Sequence, residues 1–170
     1  MKVLNAVHPD LILAQKFAYE PMGLSYKKLV IEKESQKYGA CEFSLYNHII
    51  KFRVAKITPT KIGQFVTFWK RIGSRPILPY DVDDLFDFLI ISVRTNNRLG
   101  QFIFPKSLLF KHGIISKNGN GGKRAIRVYL PWDVPTSSQA RKSQTWQNDY
   151  FFEIPSKISA FDRLKGLLRG

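Results

Sequence analysis

The spacing of apolar positions changes period several times along the chain. Residues 9–19, PDLILAQKFAY, put Leu11, Ala14 and Ala18 on one helical face, with Pro9 in the first turn and Pro21 and Gly23 as the stop. Residues 24–38 are polar and mixed in charge and read as a loop or a short helix. The period then drops towards two. ACEFSLY (40–46) and IIKFRVAKI (49–57) have strand composition, and Asn47-His48 between them predicts a hairpin. In its second strand, alternation puts Ile50, Phe52, Val54 and Lys56 on one face and Lys51, Arg53, Ala55 and Ile57 on the other.

The next stretch, IGQFVTFWKR (62–71), fits two patterns. Phe65, Phe68 and Trp69 fall at helical spacing, whereas Val66, Thr67 and Phe68 favour a strand; we read it as a helix. LFDFLIISV (85–93) predicts a central strand, Thr95 to Arg98 a turn, and GQFIF the returning strand. PKSLLFKHGI reads as a short helix opened by Pro105 and stopped at Gly113. SKNGNGGKR follows as a flexible loop, AIRVYL as a strand ended by Pro131, and SQARKSQTWQNDYFF as a helix. The last residues, ISAFDRLKGLLRG, read as a short amphipathic helix. No internal repeat or linker stands out, so residues 1–170 read as a single domain. Hairpins mixed with helices imply an α+β fold, a mixed β-sheet with flanking helices.

Composition adds a polyanion to the expectations. Of 170 residues, 44% are hydrophobic, which suits a globular chain, and 27 Lys and Arg against 13 Asp and Glu leave a formal charge of +14. Such a field attracts nucleic acid, nucleotides or an anionic surface, or it serves solubility alone. Between Phe43 and Tyr80 there are seven basic residues and no acid; between Arg94 and Gln147 there are ten and one acid, Asp133. Two basic blocks with interleaved aromatics suit a groove for a polyanion, the alternative being separate solvated faces. The lone cysteine, Cys41, allows no internal disulfide and fits a reducing cytoplasm. No signal-peptide pattern and no apolar run of membrane-spanning length is present.

Several chemistries find no footing. His8, His48, His112 and Cys41 are scattered without ligand spacing, so no zinc site is expected, and no serine lies in GxSxG. GNGGKR lacks the phosphate-loop spacing: Lys117 stands at the first glycine position and Arg124 at the hydroxyl position. The acids Asp81, Asp83, Asp84 and Asp87 read as turn caps before a strand, with a cation site as the alternative. The hairpin offers one further pattern. Metal-dependent nucleases place a leading acid on one strand and an acid-x-lysine on the next, so that two carboxylates hold Mg²⁺ while the lysine orients water. Glu42 and Lys56 occupy such positions, but the acid of the pair would be Val54, which ligates nothing. Asp87 is the candidate replacement, and the simpler reading is a cross-strand ion pair.

The runs FRVAKITPTKIGQFVTFWKR, with EKESQKYGA before it, LGQFIFPKSLLFKHGIIS, GNGGKRAIRVYLPWD and SQTWQNDYFF resemble the MepB family over roughly residues 30–152. The resemblance implies a bacterial protein whose fold is similar to that of type II restriction endonucleases. The shared blocks single out Arg53, Lys56, Thr58, Thr60, Lys61, Gln64, Arg94, Gln101, Lys106, Lys123, Arg124 and Arg127, polar residues without an evident core role. Hydroxyls and cations together make phosphate contacts. Tyr38 and Trp146 are candidates for base stacking, although Trp69, Trp132 and Trp146 also suit a core. The expectation is binding of nucleic acid or nucleotide through a basic groove, without cleavage and without a cofactor. The alternatives are an Mg²⁺-dependent nuclease using Glu42, Lys56 and Asp87, and a basic surface for an acidic protein partner. DNA, RNA and mononucleotide are not distinguished, nor is the oligomeric state.

Overall fold

A computed structural model describes residues 7–155 and 158–169. The strands are β1 (Lys27–Ile31), β2 (Cys41–Leu45), β3 (His48–Val54), β4 (Lys56–Ile57), β5 (Gln64–Thr67), β6 (Phe88–Thr95), β7 (Arg98–Pro105), β8 (Ser116–Lys117), β9 (Asn120–Gly121), β10 (Ala125–Val128) and β11 (Phe151–Ile154). The helices are α1 (Pro9–Ala14), continued by a π-helical turn to Tyr19, α2 (Lys106–Lys111), α3 (Ser138–Asn148) and α4 (Ile158–Arg169). The protein is α+β. Six strands form a mixed sheet in the order β1-β2-β3-β6-β7-β11, in which only β3 and β6 run parallel. A smaller sheet has the order β10-β5-β4. No described helix is long and apolar enough to cross a membrane.

The central strands of the large sheet are buried on both faces, which is why FLIISV (88–93) is almost wholly apolar, while Leu85, expected in the same strand, lies before it and is exposed. On one side Phe43, Ile50, Phe52, Ile90 and Ile103 meet Leu11, Ala14, Ala18 and Tyr19 of the first helical segment and Leu164 and Leu168 of α4. On the other, Leu89, Ile91, Val93, Phe102 and Phe104 meet Val66 and Phe68 with Ile126 and Val128, the inner face of the small sheet. The small sheet therefore has one face seated on the core and one turned outward.

Four expectations are corrected. Residues 24–38 contain an edge strand, β1, paired to β2. Residues 64–67 form a strand instead of a helix: Gln64 and Val66 are buried while Phe65 and Thr67 are half-buried, a period of two that the β-branched pair Val66-Thr67 favours. The helix at 138 ends at Asn148, and Phe151 and Phe152 enter β11 beside β7. Finally, the second hairpin strand stops at Val54. The Ala55 amide still donates to Ser92 O of β6 (2.9 Å), but Lys56 and Ile57 leave to pair with β5. Lys56 thus belongs to the small sheet and does not share a strand face with Val54. The glycine-rich stretch 116–124 holds the two-residue hairpin β8–β9.

Candidate functional site

The hairpin brings together acids and a lysine, though not the expected ones. Glu42 on β2 stands opposite Lys51 on β3. The Lys51 Nζ lies 2.8 Å from Glu42 and 3.0 Å from Glu32, and Arg53 lies 2.8 Å from the other oxygen of Glu32. Burial pulls the Lys51 ammonium towards losing its proton. The Glu32 charge, the Tyr80 hydroxyl and the hydrogen bonds to both glutamates outweigh that pull, and its pKa is raised. Asp87 sits elsewhere, at the start of β6, where it accepts from the Ile49 amide (2.8 Å) and lies 3.7 Å from His48. Six residues of strand and crossover, roughly 20 Å of chain, lie between Ile49 and Lys56. Glu42, Lys56 and Asp87 therefore do not meet. Two glutamates are balanced here by two cations, and Lys51 occupies the space between the carboxylates. That arrangement does not fit a divalent ion, and among the described residues no three His, Cys, Asp or Glu side chains are grouped to hold one. Glu32 and Lys51 went unnoticed as a pair because the chain from 24 to 38 did not read as a strand.

Several residues singled out for phosphate contact have structural partners instead. Arg53 is 1% exposed, donates to Phe52 O, and lies over the Phe68 ring. Gln64 is buried and donates to Arg94 O. Gln101 is buried and accepts from the Tyr19 hydroxyl (2.7 Å). Arg94 is bonded to the buried carboxylate of Asp10 (2.6 Å). Lys106 donates to Asp84 O and lies over Phe86, while Arg124 donates to Ile77 O. The acids at 81–84 work as turn caps: Asp81 accepts from Ser116 and from the amides of Asp83 and Gly119, bonds that hold its pKa down to about 2.

Three of the remaining residues gather around a cleft of about 700 Å³ between the outer face of the small sheet and α3. Lys61, Lys123 and Arg127 line it, with Lys142 from α3, and no Asp or Glu does. Lys61, Lys123 and Lys142 have no ion-pair partner among the described residues. Arg127 is held in place: it donates to Thr58 Oγ1 (2.9 Å) and Gly63 O (3.2 Å). Thr58 therefore orients a cation, while Thr60 is exposed on the loop between β4 and β5. Gly63 must be small, since a Cβ there would lie 2.8 Å from the Tyr129 ring and its φ is +84°.

Helix α3 is fixed over this cleft by its own polar residues. Ser137 caps it by accepting from the Ala140 amide (3.1 Å). The buried Gln147 accepts from the Tyr129 amide (2.8 Å) and donates to Arg127 O (3.1 Å), tying the helix to β10. Trp146 reaches the cleft but is not a free platform. His112 stacks on it with centroids 4.0 Å apart, and Phe104 lies 5.2 Å away. Burial and the nearby Lys111 lower the His112 pKa, which keeps the ring neutral near pH 7. Phe65, Tyr129, His112 and Lys142 were not anticipated. Lys142 could have been, since it stands four residues before Trp146 on the same helical face. Phe65 was hidden by the helical reading of its segment.

A small sheet and a helix, packed on a larger mixed sheet, thus frame a basic cleft. The MepB-like family model matches residues 32–153, and the chain belongs to that family. Its structure is similar to a crystal structure of MepB, with a TM-score of 0.76 and 35% identity over 86% of this chain and 97% of that one. No curated protein matches the chain.

Proposed function

We propose that this protein binds nucleic acid or nucleotide through phosphate contacts in the cleft between β5, β10 and α3, without cutting it. The observation that carries the reading is the lining: four cations, none of them with an ion-pair partner among the described residues, and no carboxylate. Unpaired cations facing one concave surface leave a positive potential that only an outside anion can offset. A cavity of this volume is within the range that holds a small ligand or part of a larger one. Aromatic rings beside the cations suit bases better than they suit an acidic protein partner, which favours this reading over a protein-interaction surface. The nuclease reading finds less support, because Glu32 and Glu42 are already neutralised by Lys51 and Arg53. We include in the proposal a restriction-endonuclease-like origin for the core, supported by the acid- and lysine-bearing β2–β3 hairpin beside the parallel pair β3–β6.

The test titrates labelled oligonucleotides at two salt concentrations, with Mg²⁺ or with EDTA, and examines the products on a gel. The expected result is binding that weakens with salt and leaves the oligonucleotide intact in Mg²⁺. Mg²⁺-dependent cutting would replace the binder with a nuclease. No binding at low salt would remove the proposal.

A further inference from the structure

The cleft opens onto the outer face of the small sheet, where strand register arranges three side chains in a row, two of them lining the cleft and the third beyond it. Arg127 on β10 stands opposite Phe65 on β5, and Lys56 on β4 stands opposite Phe65 from the other side. Directly opposed residues of antiparallel strands project from one face. The row therefore reads cation, aromatic, cation, in steps of about 4.8 Å. The Arg127 guanidinium lies 5.9 Å from the Phe65 centroid. Tyr38 meets Phe65 edge-on at 6.1 Å, and Lys56 Nζ lies 5.0 Å over Tyr38. Lys56 and Ile57 are exposed, and Lys56 has no ion-pair partner among the described residues.

Resting on the reading above, we propose that the ligand is single-stranded nucleic acid, with one part in the cleft and the strand continuing over the Arg127–Phe65–Lys56 row. The alternation of charge and ring is what separates a single strand from a duplex. A duplex offers phosphates outside and keeps its bases stacked within, so aromatic rings on a protein face gain nothing from it. A single strand presents both a charged backbone and free base faces, and every base can stack. A mononucleotide would fill the cleft and leave the row unused. On this account Lys56, beyond the cleft, serves the continuing strand, and Phe65, which lines the cleft and also stands in the row, links the two.

The experiment measures fluorescence anisotropy at one low salt concentration for three probes: oligothymidylate of about twelve nucleotides, the same homopolymer at about three, and a hairpin duplex. Wild-type protein, Lys56→Ala and Phe65→Leu are compared. Wild type is expected to prefer the long single strand over the duplex. Lys56→Ala should weaken the long probe several-fold and leave the short one unchanged. Phe65→Leu, which keeps apolar bulk but loses the ring, should weaken single strands about fivefold or more and spare residual duplex binding. If Phe65→Leu fails to fold, the exposed Lys56 variant still decides. Equal binding of duplex and single strand, or a long probe bound no better than the short one, would overturn the single-strand track and leave the cleft reading standing. Absence of salt-sensitive binding to any probe would overturn both.

Discussion

The indole of Trp146 and the imidazole of His112 lie parallel, 4.0 Å between centroids and 8° between planes. The pair joins α3 to the end of α2 and sets a titratable ring on the wall of a basic cleft. Burial and Lys111 lower the His112 pKa, so the folded protein takes up that proton less readily than the unfolded chain. Between the lowered value and the usual 6.5, stability therefore falls as pH falls. Protonation also adds a cation to the cleft. Oligonucleotide affinity should rise as pH falls below the usual imidazole range, and His112→Phe should remove that rise while keeping a stacked ring. Titrations at a series of pH values check this.

Trp146 is a packing residue first. Trp146→Ala removes its contacts with Phe104 and His112 and should cost about 3 kcal/mol of stability. Lys142→Ala, four residues earlier and solvent-exposed, should leave stability within about 0.5 kcal/mol and reduce the salt slope of binding by about one. Thermal unfolding together with a salt series separates the two outcomes.

Removing Arg53 or Lys51 should unfold, not unbind. Arg53→Ala leaves Glu32 without one of its two cations in a buried setting, and a loss of about 3 kcal/mol is expected. Folded Arg53→Ala should bind oligonucleotide as wild type does. The raised pKa of Lys51 means its contribution is present in full below the unfolded value of about 10.5 and is lost as pH rises through the folded value. Denaturant titrations of wild type and Lys51→Met should therefore converge only in strong alkali.

Cys41 is buried between the sheet and the first helical segment, and burial pushes its thiol up to about 12. The thiolate is the reactive form. A thiol reagent at pH 8 should leave the folded protein unmodified and label it stoichiometrically in denaturant, as mass spectrometry would show.

Much of the fold can be read in the chain, because the strongest signals are local. The apolar run at 85–93, the Asn47-His48 turn and the Pro9 and Pro105 helix starts each need only neighbouring residues. What escaped was set by distant partners. Gln64–Thr67 is a strand because Val66 has Ile91 and Val93 to cover, which no window of sequence displays. Lys56 leaves β3 for the small sheet, so the expected partner of Glu42 shifted to Lys51. The site divides the same way. Lys61, Lys123, Arg127 and Trp146 were singled out and do converge on the cleft, and Lys56 and Tyr38 lie on the adjoining face. Arg53, Gln64, Arg94 and Gln101 look identical in sequence but are consumed by Glu32, by backbone carbonyls, by Asp10 and by Tyr19. Polarity reveals a need for a partner; only the fold reveals whether the partner is inside.

The measurement that tests the cleft most directly is a matched charge reversal. One variant carries Lys61→Glu, Lys123→Glu and Lys142→Glu; the other carries Lys16→Glu, Lys27→Glu and Lys33→Glu, exposed lysines that do not line the cleft. Both change the net charge equally, so a general field effect would weaken oligonucleotide binding to the same degree. The account predicts that the cleft variant loses salt-sensitive binding while the other keeps most of it, with both folded by circular dichroism. Equal loss in the two variants would contradict it.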